Sequence, residues 1–117
     1  MIEFTSVYLS PVNDNQEGRS VFELREKVFV VINGTPFCTI PAGFTSDGAS
    51  IPSWARSKWS SWGKYTNASL LHDYLLLHTD HPKWLVDVLF YIALRESDVS
   101  ALEAAIFFGA VRLKRSR

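Results

Sequence analysis

Hydrophobic and polar positions change their rhythm near the middle of the chain. In the first fifty residues the rhythm is short. VFEL and KVFVVI are rich in β-branched and aromatic residues, with Glu23, Arg25 and Lys27 interleaved, and IEFTSVYL is a further strand candidate. Asn33-Gly34 between KVFVVI and TPFCTI predicts a tight hairpin, because a type I′ turn needs positive φ at both central residues. Pro36 lacks an amide donor, so its strand belongs at a sheet edge or starts after the proline.

From residue 51 onward the pattern is helical. Pro52 suits the first turn of a short helix through Trp59, with Ser50 as its cap. Thr66 or Asn67 can cap a second helix containing TNASLLHDYLLLH. A third begins at Pro82 after the Thr79-Asp80-His81 turn, with KWLVDVLFYIALRE apolar on most faces. Ser100-Ala-Leu-Glu103 has the form of a capping box for a last helix running to about Leu113. The expected fold class is α+β. A small antiparallel β-sheet (residues 1–50, strands and turns) packs with three to four α-helices (residues 51–117) in a single domain, 1–117, around one core.

Composition narrows the function classes. Hydrophobic residues make up 47% of the 117 and aromatics 14%, which excludes a disordered chain. Twelve basic and twelve acidic side chains cancel, so no long-range field favours nucleic acid, and no specific nucleic-acid partner is expected. Cys38 is the single cysteine, leaving neither a disulfide framework nor a thiolate zinc site. No apolar run approaches the ~20 residues of a membrane-spanning helix, and MIEFTSVYLSPV lacks the pattern of a signal peptide. Synthesis in a reducing cytoplasm is the expectation.

The candidate chemistry centres on His72 and Asp73. Adjacent helical residues point about 100° apart, so the two flank one cleft without bonding each other side by side. If residues 66–78 and 82–95 form an antiparallel hairpin, His72 lies eight residues before a turn centred on Asp80 and Asp87 seven after it. The two are then level, and a His72–Asp87 hydrogen bond is predicted. An aspartate that fixes an imidazole's tautomer prepares its other nitrogen as a general base. A plainer reading makes Asp87 a surface ion pair with Lys83, four residues earlier on one polar stripe.

The segment PAGFTSDGASIP supplies Asp47, with Gly43, Gly48 and Ser50 as loop and support residues. Asp47 is either a turn residue bonding its own backbone or a carboxylate facing the helices. Oxygen ligands from Asp47 and Asp73 suit a hard cation, Ca2+ or Mg2+. His78 and His81 have no thiolate companion for zinc, and His81 stands where it can cap the Pro82 helix. Trp54, Trp59, Trp62 and Tyr65, among Arg56, Lys58 and Lys64, read first as core-closing rings. VRLKRSR carries four cations and no acid, as suits a helix C-terminus, and offers a weak contact for an anionic surface or a neighbouring subunit.

Together, AGFTSDGASIP, GKYTNASLLHDYLL and VDVLF resemble a family of small domains of unknown function encoded by tailed bacteriophages and prophages. Its marks are a loop AGF-x-Thr-Asp-Gly-Ala-Ser-x-Pro, an HD-hydrophobic-Leu helix and an Asp on the following helix. Asp47, Gly48, Ala49, Ser50 and Pro52 match the loop, His72 and Asp73 the helix, and Asp87 the third position. Ser46 replaces the usual threonine, keeping the hydroxyl, and Leu76 and its neighbours stand where a tyrosine is common. The resemblance covers roughly residues 35–113. It implies that His72, Asp73, Asp87 and Asp47 form one constellation but brings no reaction with it.

A chemical likeness links the same residues to secreted calcium-dependent phospholipases, which would make His72 the base, Asp73 a calcium ligand and Asp87 the orienting carboxylate. The disulfides and glycine-dense loop of those enzymes are absent from the sequence. Two readings follow. One is a phage accessory protein with a hydrolase-like site, catalytic through His72 and Asp87, acting on a component of the bacterial envelope during entry or lysis. The other is a non-catalytic virion or assembly subunit, associating with phage structural proteins or with itself, in which these residues brace the fold.

Overall fold

A computed structural model describes residues 1–12, 21–46 and 65–113 of the chain. The fold is α+β, with strands confined to the N-terminal half and helices to the C-terminal half. The chain divides into two compact units, Met1–Asp47 and Gly48–Arg117. The expected short helix after Pro52 and the residues Trp54, Trp59 and Trp62 lie outside the described residues.

The strand unit contains two three-stranded antiparallel sheets where the sequence suggested one. The first has the order β1 (Ile2–Phe4), β4 (Val28–Ile32), β5 (Thr35–Ile40); the second has β2 (Leu9–Val12), β3 (Val21–Leu24), β6 (Thr45–Ser46). IEFTSVYL is therefore not one strand. Its start pairs with β4, Phe4 opposite Val30, and Leu9 pairs instead with Leu24 of β3. Residues 5–8 carry the chain between the sheets, and alternation alone cannot reveal such a change of partner.

Asn33 and Gly34 have φ of 51° and 80°, the hairpin conformation that their sequence requires. Pro36 sits opposite Val31 in β5, an edge strand, and the register shifts between Val30 and Val31. The edge position and this irregularity together accommodate the missing amide donor. Val28 and Val30 are buried while Phe29 between them is exposed, as strand alternation demands. Ile2, Leu24, Ile40 and Phe44 are also buried in this half.

Three helices are described in the second unit: α1 (Thr66–His78), α2 (Lys83–Glu96) and α3 (Ala101–Leu113). Tyr65, and neither Thr66 nor Asn67, occupies the cap position of α1, and no side-chain hydrogen bond caps that end. Pro82 precedes α2 with φ −63°, the angle its ring fixes, and an extended ψ of 145°. His81 does not cap it; its amide meets the Thr79 hydroxyl at 3.5 Å, while that hydroxyl donates to the Leu75 carbonyl at 2.6 Å.

A complete Schellman motif ends α2. Val99 N–H donates to Leu94 O (3.1 Å), Asp98 N–H to Arg95 O (3.3 Å), and Asp98 takes the left-handed conformation, φ 67°. The capping box before α3 forms in altered shape. The Glu103 amide donates to Ser100 Oγ at 3.2 Å, but the Glu103 carboxylate returns to that hydroxyl and also accepts from Tyr65 Oη at 3.1 Å. Leu70, Leu71, Leu75, Phe90, Leu94, Phe107 and Val111 supply the apolar interior, with Tyr65 set edge-on against Phe107 at 5.1 Å between centroids.

Candidate functional site

Antiparallel α1 and α2 bring His72 and Asp87 together across their hairpin. His72 Nε2 and Asp87 Oδ1 are 2.7 Å apart, so the hydrogen bond expected from the level positions is present. Both residues are buried, at 2% and 0% relative exposure. The Phe90 ring packs against the imidazole, 4.9 Å between centroids. A polar pair in such surroundings must be satisfied internally.

Asp87 is satisfied by three helices at once. His72 of α1 takes Oδ1; Lys83 Nζ of α2 donates to Oδ2 at 2.7 Å, and Arg112 Nη1 of α3 donates to the same oxygen at 3.1 Å. Lys83 Nζ also donates to the Val111 carbonyl at 2.5 Å, fastening the last turn of α3 to the first of α2. Asp87 does pair with Lys83 as the plainer sequence reading has it, but its carboxylate is fully buried and Lys83 reaches it from a half-buried position, so the contact is not a surface ion pair. Such a cluster specifies how elements meet more than it adds net stability, because desolvating the charges offsets most of their attraction.

Electrostatics fix the protonation states. Burial pushes the Asp87 carboxyl up, but hydrogen bonds from Lys83 and His72 outweigh it and hold the group below its ordinary value. Burial pulls the His72 imidazolium down, against the opposing hydrogen bond to Asp87 and the charges of Asp73 and Asp87. The imidazole is therefore neutral beside an ionised Asp87. Nε2 carries the proton and donates, which makes Nδ1 the acceptor. Asp73 Oδ1 stands 4.0 Å from Nδ1, beyond a hydrogen bond, with 14% of its side chain exposed.

Two further polar side chains lie on this face of α1. Thr66 and Ser69, at 8% and 0% exposure, have buried hydroxyls with no hydrogen-bond partner among the described residues. Each such group carries a cost of about 1–3 kcal/mol. Ser69 is one turn before His72 and Asp73, with Thr66 one turn before that, so α1 carries a polar stripe through an apolar surrounding.

Other candidates lie elsewhere. Gly43, with φ 91°, serves a turn in which Phe44 N–H donates to Pro41 O at 3.3 Å, and its own amide donates to Leu24 O at 2.8 Å. Asp47, Gly48 and Ser50 are outside the described residues. Among the described residues no three His, Cys, Asp or Glu side chains converge as a metal site, and Asp73 is the described member of the proposed cation pair. Cys38 sits in β5, where burial pushes its thiol up to about 11, beside a hollow of about 420 Å³ lined chiefly by Phe29, Val31, Pro36 and Phe37. No described helix is long and apolar enough to cross a membrane.

Lys83 and Arg112 as joint partners of Asp87 were not assembled from the sequence, although one signal was present. The levelling that pairs His72 with Asp87 also applies about Asp98: Lys83 lies fifteen residues before it and Leu113 fifteen after. That places the last turn of α3 beside Lys83.

No curated protein and no solved structure matches the chain. A family model described as protein of unknown function (DUF1353) matches residues 22–111, a span that includes His72, Asp73, Asp87 and the sequence PAGFTSDGASIP. The chain belongs to the DUF1353 family.

Proposed function

We propose that the protein is a hydrolase in which His72 acts as general base through Nδ1 and Asp87 positions it through Nε2, serving a bacteriophage as an accessory protein acting on the bacterial envelope during entry or lysis. The observation that supports this most is the 2.7 Å contact between a neutral imidazole and an ionised carboxylate. It sets the tautomer so that Nδ1 can take a proton from water as that water attacks an ester, amide or similar bond. Asp73, beside Nδ1 and partly exposed, is the described carboxylate best placed to hold a hard cation such as Ca2+ or Mg2+.

The test is turnover of envelope material, ester lipids and peptidoglycan, by the purified protein and by His72→Gln, with melting curves of both. The expected result is hydrolysis by the parent and a loss of at least ~10²-fold in the variant, of the order a positioned base contributes, at unchanged stability. No turnover on either material, or a variant that remains active, sinks the proposal.

One observation favours a second reading. Asp87 Oδ2 is held by both Lys83 and Arg112, a degree of charge compensation that suits a brace. Under that reading the chain is a virion or assembly subunit and His72→Gln destabilises it clearly. Counting copies per purified particle by quantitative mass spectrometry separates the two: a symmetric, stoichiometric number supports the subunit, absence the accessory protein.

A further inference from the structure

The sequence of α3, ALEAAIFFGAVRL, is apolar nearly all round, yet the helix buries only Ala104, Phe107 and Val111. A helix of that composition ordinarily has neighbours on most faces. Its outward side instead exposes Leu102 at 73%, Ile106 at 43% and Leu113 at 85%. With Ala105 and Gly109 these recur every three or four residues and form one line along the helix, roughly 16 Å from end to end.

The fold itself does not call for Gly109. A Cβ built there meets nothing within 4 Å, and the backbone has no positive φ at this position. Glycine inside a helix weakens it, so the residue is explained by a neighbour that approaches from outside and comes close to the backbone.

The exposed line is also its own complement. Turned end for end about a point between Phe107 and Phe108, it places Leu102 against Leu113 of a second copy and Ala105 against Ala110, while Ile106 enters the notch above Gly109. Large meets small and apolar meets apolar, the relation that a two-fold contact requires of a single surface. Glu103 and Arg112, the two charged side chains of α3, lie to either side of this line and are bonded to Tyr65 and Asp87, so no unpaired charge is trapped when two such faces meet.

We infer that α3 packs antiparallel against α3 of a second copy of this chain, forming a two-fold dimer. One helix face is smaller than the ~800 Å² per partner of a standard interface, so the dimer dissociates on dilution. The contact leaves the His72–Asp87 pair untouched and holds for either reading of it.

Sedimentation velocity of the full chain over a dilution series tests the inference. A monomer at micromolar concentration should give way to a dimer, and to nothing larger, as the concentration approaches ~1 mM. Gly109→Gln fills the notch with a better helix former. It should weaken the dimer at least ~10-fold while melting no lower than the parent in dilute solution. Leu77→Ser, on α1 and 70% exposed, should leave the dimer unchanged. A chain that is monomeric throughout overturns the inference, as does a Gly109→Gln variant that dimerises like the parent. Equal loss from Leu77→Ser overturns it too, placing the contact on a different face.

Discussion

The strand unit and the helical unit both bury aliphatic side chains, but they handle charge in opposite ways. In the strand unit the described charged groups stay at the surface: Arg25 Nη1 donates to Ser10 Oγ at 2.7 Å, and Lys27 Nζ lies 5.4 Å from the Phe29 ring centroid. Its architecture follows from ladders, a two-residue turn and alternation. In the helical unit a carboxylate is fully buried, and side chains from three helices converge on it. Strands find their partners through backbone groups, which are the same at every residue. Helices satisfy their own backbones, so their mutual register must come from side chains, and here a shared ion supplies it.

Removing that ion gives the largest effect. Asp87→Ala leaves Lys83 and His72 without their common acceptor and should cost about 3–5 kcal/mol, read from urea unfolding. A cost below about 1 kcal/mol would mean that the network is dispensable and the contrast between the units is false.

Acid sharpens the same contrast. The His72 pKa is lowered in the folded protein, so below its ordinary 6.5 the unfolded chain takes up a proton that the folded one resists. Stability from this source is complete above about pH 6.5 and falls as the pH drops toward the folded value. Asp87, also lowered, adds a second loss below its ordinary 3.8. Amide hydrogen-exchange protection, measured against the intrinsic rate at each pH, should therefore fall in α1–α3 on mild acidification before it does so in β4 and β5. Simultaneous loss of protection in both would contradict the localisation.

Smaller substitutions probe particular positions. Ser69→Ala removes a buried hydroxyl that has no partner among the described residues, so unfolding free energy should be unchanged or higher, by up to about 1–3 kcal/mol. Destabilisation would mean that the hydroxyl is bonded in solution. Asp98→Gly relieves a left-handed residue and removes an acid from a helix C-terminus, for a gain of roughly 1 kcal/mol in thermal unfolding. Its counterpart in the strand unit is Gly34→Ala, where φ is 80° and an added Cβ meets nothing within 4 Å, so a loss of about 1 kcal/mol would be purely conformational.

Local chemistry carried most of what was legible in the sequence. Asn33-Gly34, the edge placement of Pro36 and the start of α2 after Pro82 each follow from a residue acting on its own backbone. The His72–Asp87 contact was legible because a short turn fixes the level of two helices. The split into two sheets was not, since the side chains of residues 2–9 do not announce which strand each will meet. Nor was the uncapped start of α1, where Thr66 has a capping residue's chemistry but sits one position inside the helix. Arg112 looked like a solvated cation and Lys83 like one half of a surface ion pair, because their joint role depends on a third helix arriving.

That dependence bears on how the chain assembles as it is made. When α1 and α2 first pair, Asp87 has His72 and Lys83 but not Arg112, and the Lys83 ammonium has no carbonyl from Val111. Only synthesis of the last helix completes the shell around the buried charge. The helical unit should consequently reach its final cooperativity late, in one step, once residue 112 has cleared the ribosome and α3 can close over the pair.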